Sequence, residues 1–383
     1  MSKFGLWWVT WNGSDYESRM TVGSRKATIE DFRERGFDRI VFLGSLSYGG
    51  PHLPENGTNQ YRYNKLQEYV RALCNGYYDW NVDSDNPNKG KSRYDVGYLD
   101  GQFLSLWISS RVGTIKYYVP IPFSYGLDNP IRNPLNEKKK YSAPPRDCPM
   151  NGFDESYWHG WIDGVLSVVD DYRVGFYWSY ESCLQATKHD PNFVDYFSPM
   201  YNANTKEYVD DYKAFIRDMS RYIHNRGHEL VWIPATGARS AEYLRDSSGI
   251  PVISKHFDYV FVQPNYYQYN STYTSDELVK KVKWIYESSL SIEMEADSAV
   301  LHSQSGHCAL CKYENNHYVC DNEGCLERAC QYVGAILEVD YEIFNREPIP
   351  PERATDTLFP DRAYYFGTDF KVVDAVRGRC PEW

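Results

Sequence analysis

Two acidic segments hold the side chains best suited to chemistry in this 383-residue chain. One runs Val174-Gly-Phe-Tyr-Trp-Ser-Tyr-Glu181, and the other Ser291-Ile-Glu293-Met-Glu295-Ala-Asp297. Side chains alternate along a strand, so Glu293, Glu295 and Asp297 share one face and Ile292 and Met294 the other. An apolar pair that packs under helices turns the acids toward the opposite side. Carboxylates enclosed there cost several kcal/mol unless they are paired or hydrogen-bonded. Two acids that flank one bond are what glycoside hydrolysis requires: one protonates the departing oxygen, and the other attacks the anomeric carbon or activates a water. On this reading Glu181 is the acid/base and Glu295, nearer the strand tip, is the nucleophile of a retaining mechanism. Glu293, one pleat deeper, hydrogen-bonds or tunes Glu295, and the two could exchange roles. Asp297 binds a sugar hydroxyl or starts a loop. The competing reading makes these acids buried partners of Arg or Lys.

The elements that must position them alternate. Candidate strands are Phe4–Trp11, Arg39–Leu46, Thr114–Phe123, Arg173–Glu181, Glu229–Thr236, Tyr259–Tyr266, Ser291–Glu295 and Ala363–Thr368. Several are apolar throughout, as strands covered on both faces are. Helical spacing falls between them at Thr28–Arg35, Trp158–Asp171, Asn204–Asn225, a segment opened by Ser275, and Cys325–Phe344. Eight strand–helix units predict one (β/α)8 barrel, an α/β TIM barrel, over residues 1–383. An open nucleotide-binding sheet would need a glycine-rich phosphate loop, and no such motif occurs. Longer gaps follow the second, third, fourth and seventh strands, and Pro51–Gly57, Asn81–Lys91 and Asn129–Met150 read as loops over the barrel mouth.

In such a barrel the active site lies at the C-terminal strand ends. The sixth tip, Gln263-Pro-Asn265-Tyr266-Tyr267, offers amide and phenol groups there. Trp8, Trp11, Trp178 and Trp232 lie on strand segments near the same mouth. Each could stack on a sugar ring or fill core, and as a set one or two are expected to line the cleft.

Composition agrees with a carbohydrate partner but does not establish it. There are 35 Tyr and 11 Trp, side chains with an apolar face and a polar handle. The net charge of 41 − 52 = −11 argues against nucleic acid. No apolar run is long enough for a membrane-spanning helix. The N-terminus shows no signal-peptide pattern, so the expected setting is cytoplasmic, or secreted with a signal removed.

Cysteines cluster at Cys308, Cys311, Cys320, Cys325 and Cys330, in an insert over about residues 298–330. Four thiolates could close a structural zinc site, with His302, His307 and His317 nearby. Two disulfides that staple the loop are the alternative, favoured because the second pair lacks the tight knuckle spacing. The chemistry expected of the acids needs no cofactor.

The arrangement resembles the clan A glycoside hydrolases, whose acid/base closes strand four and whose nucleophile closes strand seven. Where those enzymes usually carry Asn before the acid/base, this chain has Tyr180. More specifically, Gly175-Phe-Tyr-Trp-Ser-Tyr-Glu-Ser182, Val231-Trp-Ile-Pro234, Gln263-Pro-Asn-Tyr-Tyr267 and Ile292-Glu-Met-Glu-Ala-Asp297 resemble a bacterial and archaeal family known as domain of unknown function 4855. That resemblance implies a barrel and no established activity. The alternative from another class is a non-catalytic carbohydrate-binding barrel, in which aromatics hold glycan and the acids are structural.

Overall fold

The computed structural model describes residues 2–11, 16–44, 92–122, 152–183, 201–202, 207–208, 211–269, 273–301, 306–314, 317–345 and 350–383. Eight parallel strands follow one another in chain order: β1 (Lys3–Trp11), β2 (Arg39–Gly44), β3 (Lys116–Ile121), β4 (Arg173–Trp178), β5 (Glu229–Trp232), β6 (Tyr259–Val262), β7 (Ser291–Glu295) and β8 (Arg362–Tyr365). The ring closes where β8 pairs with β1, Lys3 beside Arg362 and Gly5 beside Tyr364. The expected barrel is present. The three loop stretches expected over its mouth lie outside the described residues.

Alternation divides the core into two layers. Phe4, Leu6, Val41, Leu43, Tyr118, Tyr177, Val231, Ile233, Phe261 and Ala363 fill the interior. Their strand neighbours, among them Trp7, Phe42, Phe176, Trp178, Leu230, Trp232, Ile292 and Met294, pack outward under the helices. The N-terminal end of the barrel is closed by Arg39, which pairs with Glu229 at 2.8 Å.

The helices among the described residues include α1 (Ile29–Glu34), α2 (Arg93–Val112), α3 (Tyr157–Leu166), α4 (Asp211–His224), α5 (Ala241–Ser247), α6 (Ser275–Glu287), α7 (Asn322–Phe344) and α8 (Lys371–Arg379), with further ones at Ile250–Ile253 and Pro351–Leu358. Helix α4 is shorter than the spacing predicted, because Glu207–Tyr208 pairs with Tyr201–Asn202 in a small antiparallel ribbon. Helix α2 has no counterpart among the predicted segments. It packs against α3 through glycines: a Cβ on Gly101 would lie 2.2 Å from the Trp161 carbonyl, and one on Gly160 would lie 1.9 Å from that of Tyr94. Small residues at these positions serve close backbone approach, and they replace the apolar residues that would mark a helical period.

Helices α6 and α7 begin as their first turns dictate. Thr274 caps α6 by accepting the Glu277 N–H, one residue before the expected cap. Asp321 caps α7 by accepting the Gly324 N–H at 3.0 Å. Cys325 and Cys330 therefore lie inside α7 and not in the insert. The insert itself contains a hairpin, Cys311–Glu314 against His317–Cys320. Two disulfides join Cys308 to Cys325 and Cys311 to Cys320.

Candidate active site

Glu293 and Glu295 point into the barrel from β7, and Glu181 reaches the same end just beyond β4. Beyond the regular ladders, single bridges continue from Ser182 to Ala235 and from Ala235 to Gln263. They keep Glu181 in step with the β5 and β6 tips, where the Ala235 N–H donates to the Glu181 carbonyl at 2.6 Å.

Each acid has a different setting. Glu181 is partly exposed and accepts from the Tyr177 hydroxyl on one oxygen and from Gln263 Nε2 on the other, at 2.9 Å. Enclosure raises its pKa, and those two hydrogen bonds oppose the rise. Glu295 is 0% exposed. Its Oε1 accepts from the Asn265 N–H at 3.2 Å and Asn265 Nδ2 at 3.1 Å, and its Oε2 from the Tyr332 hydroxyl. Burial pushes its carboxyl up to about 7, against the Tyr332 hydroxyl, the nearby Lys281 charge and backbone N–H groups of Asn265 and Tyr267. Glu293 is 2% exposed and has no hydrogen-bond partner among the described residues. Burial, and then the charges of Glu295 and Glu181, hold its carboxyl well above the usual range. Two carboxyls so placed do not both ionise: the donors around Glu295 favour charge there, and Glu293 keeps the proton.

Asn265 organises the neighbourhood. Its backbone is left-handed, with φ of 55°, a conformation Asn tolerates better than most residues. Its Oδ1 accepts the N–H groups of Thr236 at 2.8 Å and Gly237 at 2.7 Å, which aims Nδ2 at Glu295. Beneath it Lys281, from α6, donates to Thr236 Oγ1 at 3.0 Å and to the carbonyls of Gly237 and Pro264, each at 2.9 Å. Burial lowers this ammonium to about 7.

The other predicted site residues divide. Trp8 packs against the barrel interior, half-buried, its indole N–H without a partner among the described residues. Trp178 and Trp232 are corrected to outer core: both are wholly buried, because Tyr177 and Val231 take the inward positions of their strands. Trp11 ends β1, but its side chain lies outside the described residues. Tyr266 is turned under α7, where its carbonyl accepts from Arg328 and its hydroxyl donates to Gln331. Asp297 anchors the insert: one oxygen accepts from the Tyr267 hydroxyl and the Ala299 N–H, each at 2.9 Å, and the other from the His307 N–H at 2.5 Å. Those bonds occupy both oxygens.

Sequence reasoning missed Tyr332, Lys281, Tyr177 and Tyr365. Tyr365 ends β8 beside Glu295 in register, near the charges of Glu293 and Glu181. Its hydroxyl has no partner among the described residues. The strand-tip rule that selected Glu295 applies equally to Tyr365. Tyr332 and Lys281 lie on helices, and no local pattern marks them.

Known proteins resemble parts or all of this chain. It is 27% identical over 371 residues to the uncharacterized protein MJ0957 of Methanocaldococcus jannaschii, which covers 86% of this chain and 89% of that one. Among solved structures, a chitinase from Chromobacterium violaceum aligns over 98% of both chains at 8% identity and a TM-score of 0.40. A xylanase and alpha-amylase inhibitor protein from Scadoxus multiflorus aligns over 98% of this chain and 97% of its own, at 10% identity and a TM-score of 0.36. Residues 200–325, which include three of the four motifs quoted above, match the family described as Domain of unknown function (DUF4855).

Proposed function

We propose that this protein is a glycoside hydrolase acting on a polysaccharide or glycan through Glu181 and the Glu293–Glu295 pair. One observation carries the reading. Three carboxyls gather at the C-terminal end of a closed barrel, and among the described residues no Arg or Lys forms an ion pair with any of them. Acids kept only for structure would be expected to have cations. Glu181, partly exposed and with a raised pKa, suits protonation of the leaving oxygen and later activation of water. Glu295, ringed by donors, is the carboxylate that attacks the anomeric carbon, and the protonated Glu293 beside it donates toward substrate. Half-buried Trp8 and the Tyr365 hydroxyl, which has no partner among the described residues, offer a stacking face and a hydrogen bond to the sugar.

The full enclosure of Glu295 favours the alternative, a barrel that binds carbohydrate without cleaving it. Incubating the protein with a panel of polysaccharides and assaying new reducing ends separates the two. Release by the wild type that disappears in Glu181→Gln supports hydrolysis. Glycan binding with no product, unchanged in that variant, supports the binding protein.

A further inference from the structure

We propose that the cysteine insert and the start of α7 form a zinc-binding knuckle in which the thiolates of Cys308, Cys311, Cys320 and Cys325, when reduced, hold one Zn²⁺. The inference stands apart from the glycosidase reading. Two disulfides that only stapled a loop could lie anywhere along it. Here they share one cluster: the sulfurs of Cys308, Cys311 and Cys325 all lie within 4.8 Å of one another, and Cys320 is bonded to Cys311. A zinc ion with four Zn–S bonds of about 2.3 Å sets its sulfurs roughly 3.8 Å apart, inside the 4.8 Å limit that holds for the Cys308, Cys311 and Cys325 sulfurs.

The backbone is arranged for the same purpose. Cys308 and Cys311 flank a tight turn in which the Cys311 N–H donates to the Cys308 carbonyl at 2.9 Å. Cys320 lies directly across the hairpin from Cys311, with 4.0 Å between their Cα atoms. Cys325 is in the first turn of α7, and the positive end of the helix dipole favours a thiolate there. Turn, hairpin and helix start thus each deliver ligands to one point. The turn is fixed to the barrel by the Ala309 N–H, which donates to the Tyr267 carbonyl at 2.8 Å, and by Asp297, which holds the His307 N–H. Four protein thiolates leave no open position, so the metal orders the connection between β7 and α7 and does not hydrolyse.

The two forms balance. Two equivalents of a dithiol reductant convert both disulfides to four thiols and become two disulfides themselves. Zinc then displaces the four thiol protons.

The test uses the full chain, reduced with a dithiol, freed of reductant anaerobically and titrated with Zn²⁺ or Co²⁺. The expected result is one tightly bound metal per chain, released by a mercurial, with the strong visible bands of tetrahedral cobalt thiolate. The double substitution Cys311→Ser and Cys320→Ser should abolish those bands. Far-UV circular dichroism separates folding from binding, since a metal-free chain that regains its spectrum on adding zinc also supports the site. Reduced protein that stays folded yet binds no stoichiometric metal overturns it, as does reduced protein that unfolds and is not restored by zinc.

Discussion

Glu181 and Glu295 are joined through two side-chain amides: Gln263 donates to Glu181 at 2.9 Å, and Asn265 donates both to Gln263 Oε1 at 3.2 Å and to Glu295 at 3.1 Å. A neutral bridge orients both carboxyls without the countercharge that an arginine would bring. Their affinity for protons therefore stays high, as acid–base chemistry near neutral pH requires. The same relay holds the β4 acid in fixed relation to the β7 pair.

The Tyr332 hydroxyl is the principal group that pulls the Glu295 carboxyl back down. Removing it with Tyr332→Phe should raise that pKa above about 7. The acidic limb of the pH–rate profile should then move to higher pH, with less effect on substrate affinity than on turnover. An unmoved limb, measured by initial rates from acid to alkaline pH, would separate Glu295 from the chemistry.

Stability should carry the same signature. Glu295 in the folded chain holds its proton up to about 7, against an ordinary value of 4.5. The folded state therefore binds more protons than the unfolded state between those values. Its contribution is fully present below the lower one and is lost as pH rises through the upper one. Urea denaturation of wild type and Glu295→Gln should show the wild type losing on the order of 2 kcal/mol relative to the variant across that window. A difference independent of pH counts against the assignment.

The α2–α3 contact makes a sharper structural forecast. Gly160→Ala places a methyl 1.9 Å from the Tyr94 carbonyl, so the helices must separate, at a cost of about 1–3 kcal/mol or more. Gly334 lies exposed inside α7 with nothing within 4 Å of an added Cβ. Gly334→Ala should stabilise by up to about 1 kcal/mol, because alanine is the better helix former. Chemical denaturation of both variants checks the opposite signs.

Apolar, β-branched or aromatic runs located the eight barrel strands, and several carry an apolar signal along their whole length because both of their faces are covered. The tips were overextended: Arg173–Glu181 shortens to Arg173–Trp178 since only single bridges continue past the ladder. The inward side of β7 was legible from Ile292 and Met294. The same parity, applied to β4 and β5, would have sent Trp178 and Trp232 outward. Helix α2 was hidden by the glycines that let it approach α3. Tyr332 reaches Glu295 from a helix 37 residues away, and the Lys281 cage forms only once the β5 and β6 loops are folded. Such long-range contacts leave no local pattern to read.

The most direct measurement compares glycan turnover by wild type, Glu181→Gln and Glu295→Gln, with melting temperature recorded for each. Each substitution should lower turnover by roughly 10²–10⁴-fold or more while leaving the melting temperature within a few degrees. Unchanged turnover in either variant, or glycan bound by the wild type and never cleaved, would contradict catalysis by these carboxyls.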